Sequence, residues 1–161
     1  PEEYKDNKEV ISKVLSLFDE YYGEHMIDNT KPYEGINDMI QALKEKDIKL
    51  AVVSNKPDEF AGDVVKKYFR DDFEITYGQR PNHAVKPDPR TVYEVIDYLK
   101  VNRNECLYVG DSDVDMNTAT NAGVESVGVS WGFRGEEELK KAGADYIIQK
   151  PSELLDILNS K

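Results

Sequence analysis

The chain reads as an α/β protein with a doubly wound, mainly parallel sheet carrying helices on both faces. Three observations predict it. Short apolar runs alternate with segments whose apolar residues recur at helical spacing. Two of those runs end abruptly in polar groups, one in Ser54-Asn55 and one in Gly110-Asp111. No internal repeat, low-complexity tract or charge block interrupts the alternation, and strands alternating with helices imply right-handed crossovers and hence parallel strands.

Taken in order, residues 8 to about 27 place Val10, Ile11, Val14, Leu15, Phe18, Tyr21 and Tyr22 on one face of an amphipathic helix. No strand pattern lies near it, and one helix cannot bury its stripe alone. Residues 1–32 are therefore a helical appendage and linker, broken by Lys31-Pro32-Tyr33-Glu34-Gly35, and residues 33–161 are the α/β core. A helix with Ile36, Met39, Ile40 and Leu43 leads to a strand over Ile48–Val53. The next, with Phe60, Val64, Val65, Tyr68 and Phe69, leads to Phe73–Tyr77, and one with Val92, Tyr93, Ile96 and Leu99 leads to Cys106–Val109. A helix with Ala119 and Ala122, closed by Gly123 as its C-cap, leads to Ser126–Val129. A short helix with Leu139 precedes Tyr146–Ile148, and a last one carries Leu154, Leu155 and Leu158.

At 161 residues, 39% of them hydrophobic, the chain is long enough to bury a real core. A formal charge of -11 argues against a nucleic-acid backbone and against an anionic membrane surface as partners. Cys106 is the one cysteine, so no intrachain disulfide can form, and the expectation is a buried, reduced thiol in a cytoplasmic protein. No apolar stretch is long enough for a membrane span.

The chemistry concentrates at Gly110-Asp111-Ser112-Asp113-Val114-Asp115. Carboxylates at the carboxyl end of a parallel strand attract a hard divalent cation. A bland reading competes, in which Asp111, Ser112 or Asp113 merely caps the helix and the acids suit its dipole. A calcium loop does not fit, because Met116 stands where glycine is needed and Ala122 where a bidentate Glu is needed. In a parallel sheet Ser54 and Asn55 share an edge with Asp111, and a hydroxyl with free backbone N–H groups suits phosphate oxygens. The competing reading is a plain turn with Asp58 capping the next helix. Lys86-Pro87-Asp88-Pro89 adds a cation: Pro87 extends the backbone at Lys86, while Asp88 as N-cap and Pro89 at the first helical position start the next helix firmly. Such rigidity aims the lysine.

Val-Val-Ser-Asn-Lys at 52–56, Lys-Pro-Asp-Pro at 86–89 and Val-Gly-Asp-Ser-Asp-Val-Asp-Met at 109–116 together resemble the haloacid dehalogenase-like phosphatases, and within them the phosphoglycolate phosphatase-like group. The resemblance covers about residues 33–158, while residues 1–30 are similar to the end of that group's helical cap. It implies attack by an aspartate on a small phosphorylated metabolite, an aspartyl-phosphate intermediate, and bound Mg2+. By position it implies that Ser54 and the Asn55 amide hold the phosphoryl group and that Lys86 neutralises its charge. It further implies that Asp111 ligates Mg2+, with Asp115 supporting the metal site and Asp113 a cap or supporting group.

One departure carries weight. The family's opening strand ends in Asp-x-Asp-Gly-[Thr/Val], and this chain has no such string. That strand would lie between those at 48–53 and 105–109, so two apolar strand edges would be left unpaired. The expectation is the C-terminal part of a longer enzyme, inactive alone, whose partner is its own N-terminal segment. A non-catalytic anion- and metal-binding module of the same fold is the alternative. A receiver-like phosphoacceptor fits less well, since its paired acids belong at a first strand. His25 and His83 are expected to be solvated or structural. Trp131, Phe133 and Arg134 lie in a loop on the site edge, where packing is the expected job of the aromatics.

Overall fold

The computed structural model describes residues 4–160. The chain divides into two compact units, Pro1–Lys31 and Pro32–Lys161. The first holds α1 (Lys8–His25), which starts because Asn7 Oδ1 accepts the N–H groups of Glu9 and Val10, both at 3.2 Å. None of its residues is buried; Val14, Leu15, Phe18 and Tyr21 are all exposed. His25 Nδ1 pairs with Asp28 Oδ2 at 2.7 Å just past its end.

The second unit runs α2 (Ile36–Glu45), β1 (Ala51–Pro57), α3 (Asp58–Phe69), β2 (Ile75–Gln79), α4 (Arg90–Leu99), β3 (Leu107–Gly110), α5 (Asp113–Ala122), β4 (Glu125–Val129), α6 (Gly135–Lys141), β5 (Tyr146–Ile148) and α7 (Glu153–Asn159). All strand pairs are parallel, and among the described residues they form two sheets, β1–β2 and β3–β4–β5. Alternate residues along β3 and β4 serve opposite faces. Leu107, Val127, Val129 and Ile148 meet Leu43 of α2 and Leu154 of α7 on one side, and Tyr108 meets Val92 of α4 and Ala122 of α5 on the other. Gly128 lies under α6, where a Cβ would stand 3.1 Å from Leu139 Cδ1.

Strand limits differ from the sequence expectation where the apolar run does other work. Ile48 gives its N–H to Leu43 O at 3.1 Å, closing α2, so the β1 ladder starts at Ala51 and runs on to Pro57. Phe73 stacks edge-on against Phe69 at 5.5 Å, and β2 begins two residues later, at Ile75. Asp58 is not a cap: Pro57 precedes α3, and Asp58 Oδ1 accepts Gly78 N–H at 2.7 Å. The backbones pass so closely that a Cβ on Gly78 would lie 2.5 Å from Asp58 Cα. Cys106 is half-buried rather than buried, its Sγ 3.3 Å from Asn102 O, and burial first, then Glu105, pushes its thiol pKa up.

Candidate active site on the carboxyl edge of the sheet

Glycine and serine geometry explain how Asp111 and Asp115 come to share a site. Asp111 follows β3, and Ser112, not Asp113, is the N-cap of α5; its Oγ accepts Asp115 N–H at 3.3 Å. The same hydroxyl donates to Asp115 Oδ2 at 2.7 Å, and Asp111 N–H donates to that oxygen at 3.2 Å. Asp115 can fold back this far only because residue 110 is glycine: a Cβ there would fall 2.2 Å from Asp115 Cβ.

Lys86 closes the arrangement from the loop between β2 and α4. Its ammonium donates to Asp115 Oδ1 at 2.7 Å, and the two side chains are only 16% and 8% exposed. Burial alone would raise the Asp115 carboxyl, but the Lys86 charge and hydrogen bond, with those of Ser112 and Asp111, outweigh it and hold the pKa below the ordinary carboxylate value. The Lys86 backbone is clasped by Asn55 at the end of β1, whose Oδ1 accepts Lys86 N–H at 2.8 Å and whose Nδ2 donates to Lys86 O at 3.2 Å. Beyond it, Asn121 Nδ2 donates to Pro87 O at 2.9 Å, and the Lys86–Pro87 peptide is cis. Helix α4 starts at Arg90, one residue later than Pro89, yet Asp88 Oδ1 accepts Arg90 N–H at 3.0 Å, the bond an N-cap makes.

Four of the sequence-predicted residues, Asn55, Lys86, Asp111 and Asp115, are thus joined in one run of hydrogen bonds. Ser54 Oγ instead accepts Lys56 N–H at 3.1 Å, a local turn bond that leaves its hydroxyl proton for another acceptor. Sequence reasoning missed the Asn55 side chain as a clasp, the Asn121 contact and the role of residues 132–133. Asp111 Oδ2 accepts Phe133 N–H at 3.1 Å, and a Cβ on Gly132 would stand 2.2 Å from Asp111 Cβ. The one available signal was the glycine in Trp131-Gly132-Phe133.

The donor set suits a hard divalent cation of limited protein ligation. Asp111 has one oxygen on a backbone N–H, and Asp115 has both oxygens engaged, so Asp111 is the carboxylate with coordinating capacity. Among the described residues no group of three or more His, Cys, Asp or Glu is gathered as a metal cage. Mg2+ is commonly held by one or two carboxylates plus water and substrate phosphate, which such a site accommodates. His83 lies apart from this run, Nδ1 3.0 Å from Pro81 O and Nε2 3.6 Å from Glu94.

Parallel strands whose carboxyl ends gather a buried lysine, a carboxylate pair and a strand-end Ser-Asn make a site suited to an anion. Comparison with known proteins makes this specific: residues 2–129 match the model of the haloacid dehalogenase-like hydrolases, and the chain belongs to that family. It is 36% identical over 155 residues to a Caldanaerobacter subterraneus protein provisionally named pyrophosphatase PpaX, covering 96% of this chain and 69% of that one. It is 30% identical to a phosphoglycolate phosphatase of Haemophilus influenzae, covering 92% and 66%. The crystal structure of a protein from Lactobacillus delbrueckii subsp. bulgaricus, provisionally named phosphoglycolate phosphatase, superposes with a TM-score of 0.88 at 36% identity, covering 94% of this chain and 64% of that one. The chain therefore spans about two thirds of the length of such relatives.

Proposed function

We infer that this chain is the larger part of a cytoplasmic, Mg2+-dependent phosphatase of small phosphate monoesters. The observation that carries the reading is the unbroken Asn55–Lys86–Asp115–Asp111 run of hydrogen bonds on the carboxyl edge. Lys86 neutralises charge on the bound phosphoryl group, while Ser54 and the Asn55 amide hold its oxygens. Asp115 fixes the lysine and the Asp111 backbone. Asp111 would hold Mg2+, with Asp115 acting on the metal site through these bonds or through water. The metal supplies charge neutralisation at the phosphate. Phosphoryl transfer depends mainly on positioning and electrostatic stabilisation, which is what these groups provide.

The nucleophile is an aspartate outside this chain, carried by a strand that fills the space between β1 and β3, and residues 1–32 are the end of a helical cap. Three observations support the strand outside this chain. The sequence lacks an Asp-x-Asp-Gly string, the β1–β2 and β3–β5 ladders are separate, and Val109 of β3 is 43% exposed despite its apolar side chain. The names of the relatives support a small phosphorylated substrate: phosphoglycolate is a monoester of the proposed class, and pyrophosphate, a phosphoanhydride, is the competing candidate.

The test is steady-state hydrolysis of phosphoglycolate, pyrophosphate and p-nitrophenyl phosphate by the full-length protein and by this chain alone, with Mg2+ and with chelator. Turnover by the full-length protein that chelator abolishes, with none from this chain, is expected. Equal turnover by both would place the nucleophile inside residues 1–161 and sink the reading.

A further inference from the structure

We propose that Asn121, which lies outside the three motifs at 52–56, 86–89 and 109–116, is a positioning residue: through the Pro87 carbonyl it fixes where the Lys86 ammonium stands, and with it the rate of phosphoryl transfer. The proposal rests on the phosphatase reading and adds a residue to it. A lysine is hard to place. Its ammonium rides on a flexible four-carbon stem, so it stays at one point only where both the backbone behind it and the partner ahead of it are fixed. For Lys86 the partner is Asp115, at 2.7 Å in the first turn of α5. The backbone behind it belongs to the loop between β2 and α4. That loop is held at its start, because Arg80 and His83 both face Glu94 of α4, His83 Nε2 at 3.6 Å. It is held again at its end, where Asp88 N–H donates to Val85 O at 3.0 Å and Asp88 Oδ1 accepts Arg90 N–H. Between them, Asn55 takes the N–H and the carbonyl of Lys86 from the β1 side, and Asn121 Nδ2 donates to the Pro87 carbonyl at 2.9 Å. Proline has no N–H to give, so that carbonyl is the one backbone handle Pro87 offers.

What sets Asn121 apart from Asn55 is the element that carries it. It stands in the last turn of the helix that has Asp115 in its first, about 9 Å further along the axis. One helix therefore holds both ends of Lys86, the backbone behind the side chain and the ammonium at its tip. Asn121 is itself fixed. Tyr93 Oη of α4 donates to its carbonyl at 3.1 Å, and the adjacent Ala122 is fully buried against Val92 and Val124. Asparagine is a poorer helix former than alanine, so α5 gains nothing from it as a helix. Its amide is spent on Pro87.

The test uses the full-length protein with Mg2+ and two variants, N121A and N121D. Neither offers Pro87 a donor, yet they act oppositely on α5: alanine favours a helix, and a carboxylate in the last turn opposes its dipole. Urea unfolding should therefore place N121D below N121A. Turnover should not follow that order: kcat for phosphoglycolate should fall about tenfold in both, within the hundredfold that a misplacement of about 1 Å can cost, while KM moves little. Acylation of lysines by acetic anhydride, read peptide by peptide by mass spectrometry, follows the ammonium without any need for turnover. Lys86, 16% exposed, should label several-fold faster in both variants, with Lys49, whose ammonium donates to Leu99 O at 2.7 Å, as the unmoved reference. A kcat that tracks stability, falling in N121D and not in N121A, would overturn the proposal, as would natural kcat in both. A loss of kcat in both without faster Lys86 labelling would overturn it too, because the ammonium would not have moved. If the natural full-length protein hydrolyses no phosphate ester, the labelling decides alone: faster Lys86 acylation in both variants upholds the placement of the ammonium while the phosphatase reading falls, and unchanged acylation overturns both.

Discussion

The two halves of the α/β unit, one around each sheet, are built to different standards. In β4 the last four of five residues are buried, and α5, packed against it, buries Met116, Thr118, Ala119 and Ala122 completely. In β1 no residue is fully buried, and in β2 only Gly78 is. Asp111 and Asp115 stand on the dense half; Ser54 and Asn55 stand on the open one. Lys86 joins them, its backbone held by Asn55 and its ammonium by Asp115. The comparison teaches that the site's geometry is set by the rigid half and transmitted through one residue.

Breaking that joint should have the largest effect. Lys86→Met keeps the bulk of the side chain but strands the Asp115 carboxylate, 8% exposed, without its counter-charge. Removing one partner of a buried pair costs about 3–5 kcal/mol. Urea unfolding of K86M at pH 7 should show a loss of that order, and the full-length variant should lose turnover. A loss below about 1 kcal/mol, the scale of a surface pair, would mean that the halves are joined elsewhere.

The same pair sharpens the comparison by pH. The folded Asp115 carboxyl lies below its ordinary value of 3.8, so the unfolded chain holds that proton more tightly than the folded one. The pair's contribution is complete above pH 3.8 and declines as pH falls through the lower folded value. Acid unfolding with chelator present, compared between the natural chain and D115N, isolates it: D115N should be less stable at pH 7, and the gap should narrow below pH 3.8. A gap that is constant from pH 7 to 3 would show that the carboxylate charge is not what is lost.

Within the dense half, Gly132→Ala tests how firmly the rim is set. A Cβ 2.2 Å from Asp111 Cβ cannot be accommodated without moving the loop or the carboxylate. Overpacking of this kind costs about 1–3 kcal/mol. Trp131 is the chain's one tryptophan, so a shifted emission maximum alongside a lowered unfolding midpoint is the expected signature. Unchanged emission and midpoint would show that the loop is loose.

These effects mark the limit of what the sequence makes legible. Element order follows because α4 and α5 each bury one consistent helical face, while β4, buried on both faces, reads as a short continuous apolar run. Element ends do not, since Ile48 and Phe73 are apolar for packing outside the ladder. For the site, Lys86 and Asp111 stand out as a cation before Pro87 and an acid after an apolar run. The Asn55 clasp reaches a residue 31 positions away, and the Gly132 contact reaches back over 21; no local pattern encodes either. Ser112 looked interchangeable with its acidic neighbours as a cap, and only the backbone's path selects it.

The smallest stability effect belongs to the open half, at Asn55→Ala. The change removes two hydrogen bonds to the Lys86 backbone, at 2.8 and 3.2 Å, both at an exposed position where water can replace them. A net loss of about 0.5–1.5 kcal/mol is the scale for one such bond, and the pair in solvent should cost no more than that. Turnover should suffer out of proportion, because the Lys86 ammonium keeps Asp115 but its backbone loses its register on β1. A misplacement of about 1 Å can cost a hundredfold in rate. The informative result is therefore a ratio: N55A in the full-length protein should unfold almost normally in urea while its kcat falls at least tenfold. If kcat and the unfolding midpoint fall together in modest proportion, Asn55 only braces the loop. If neither moves, the rigid half positions Lys86 unaided, and the division of labour between the two halves must be redrawn.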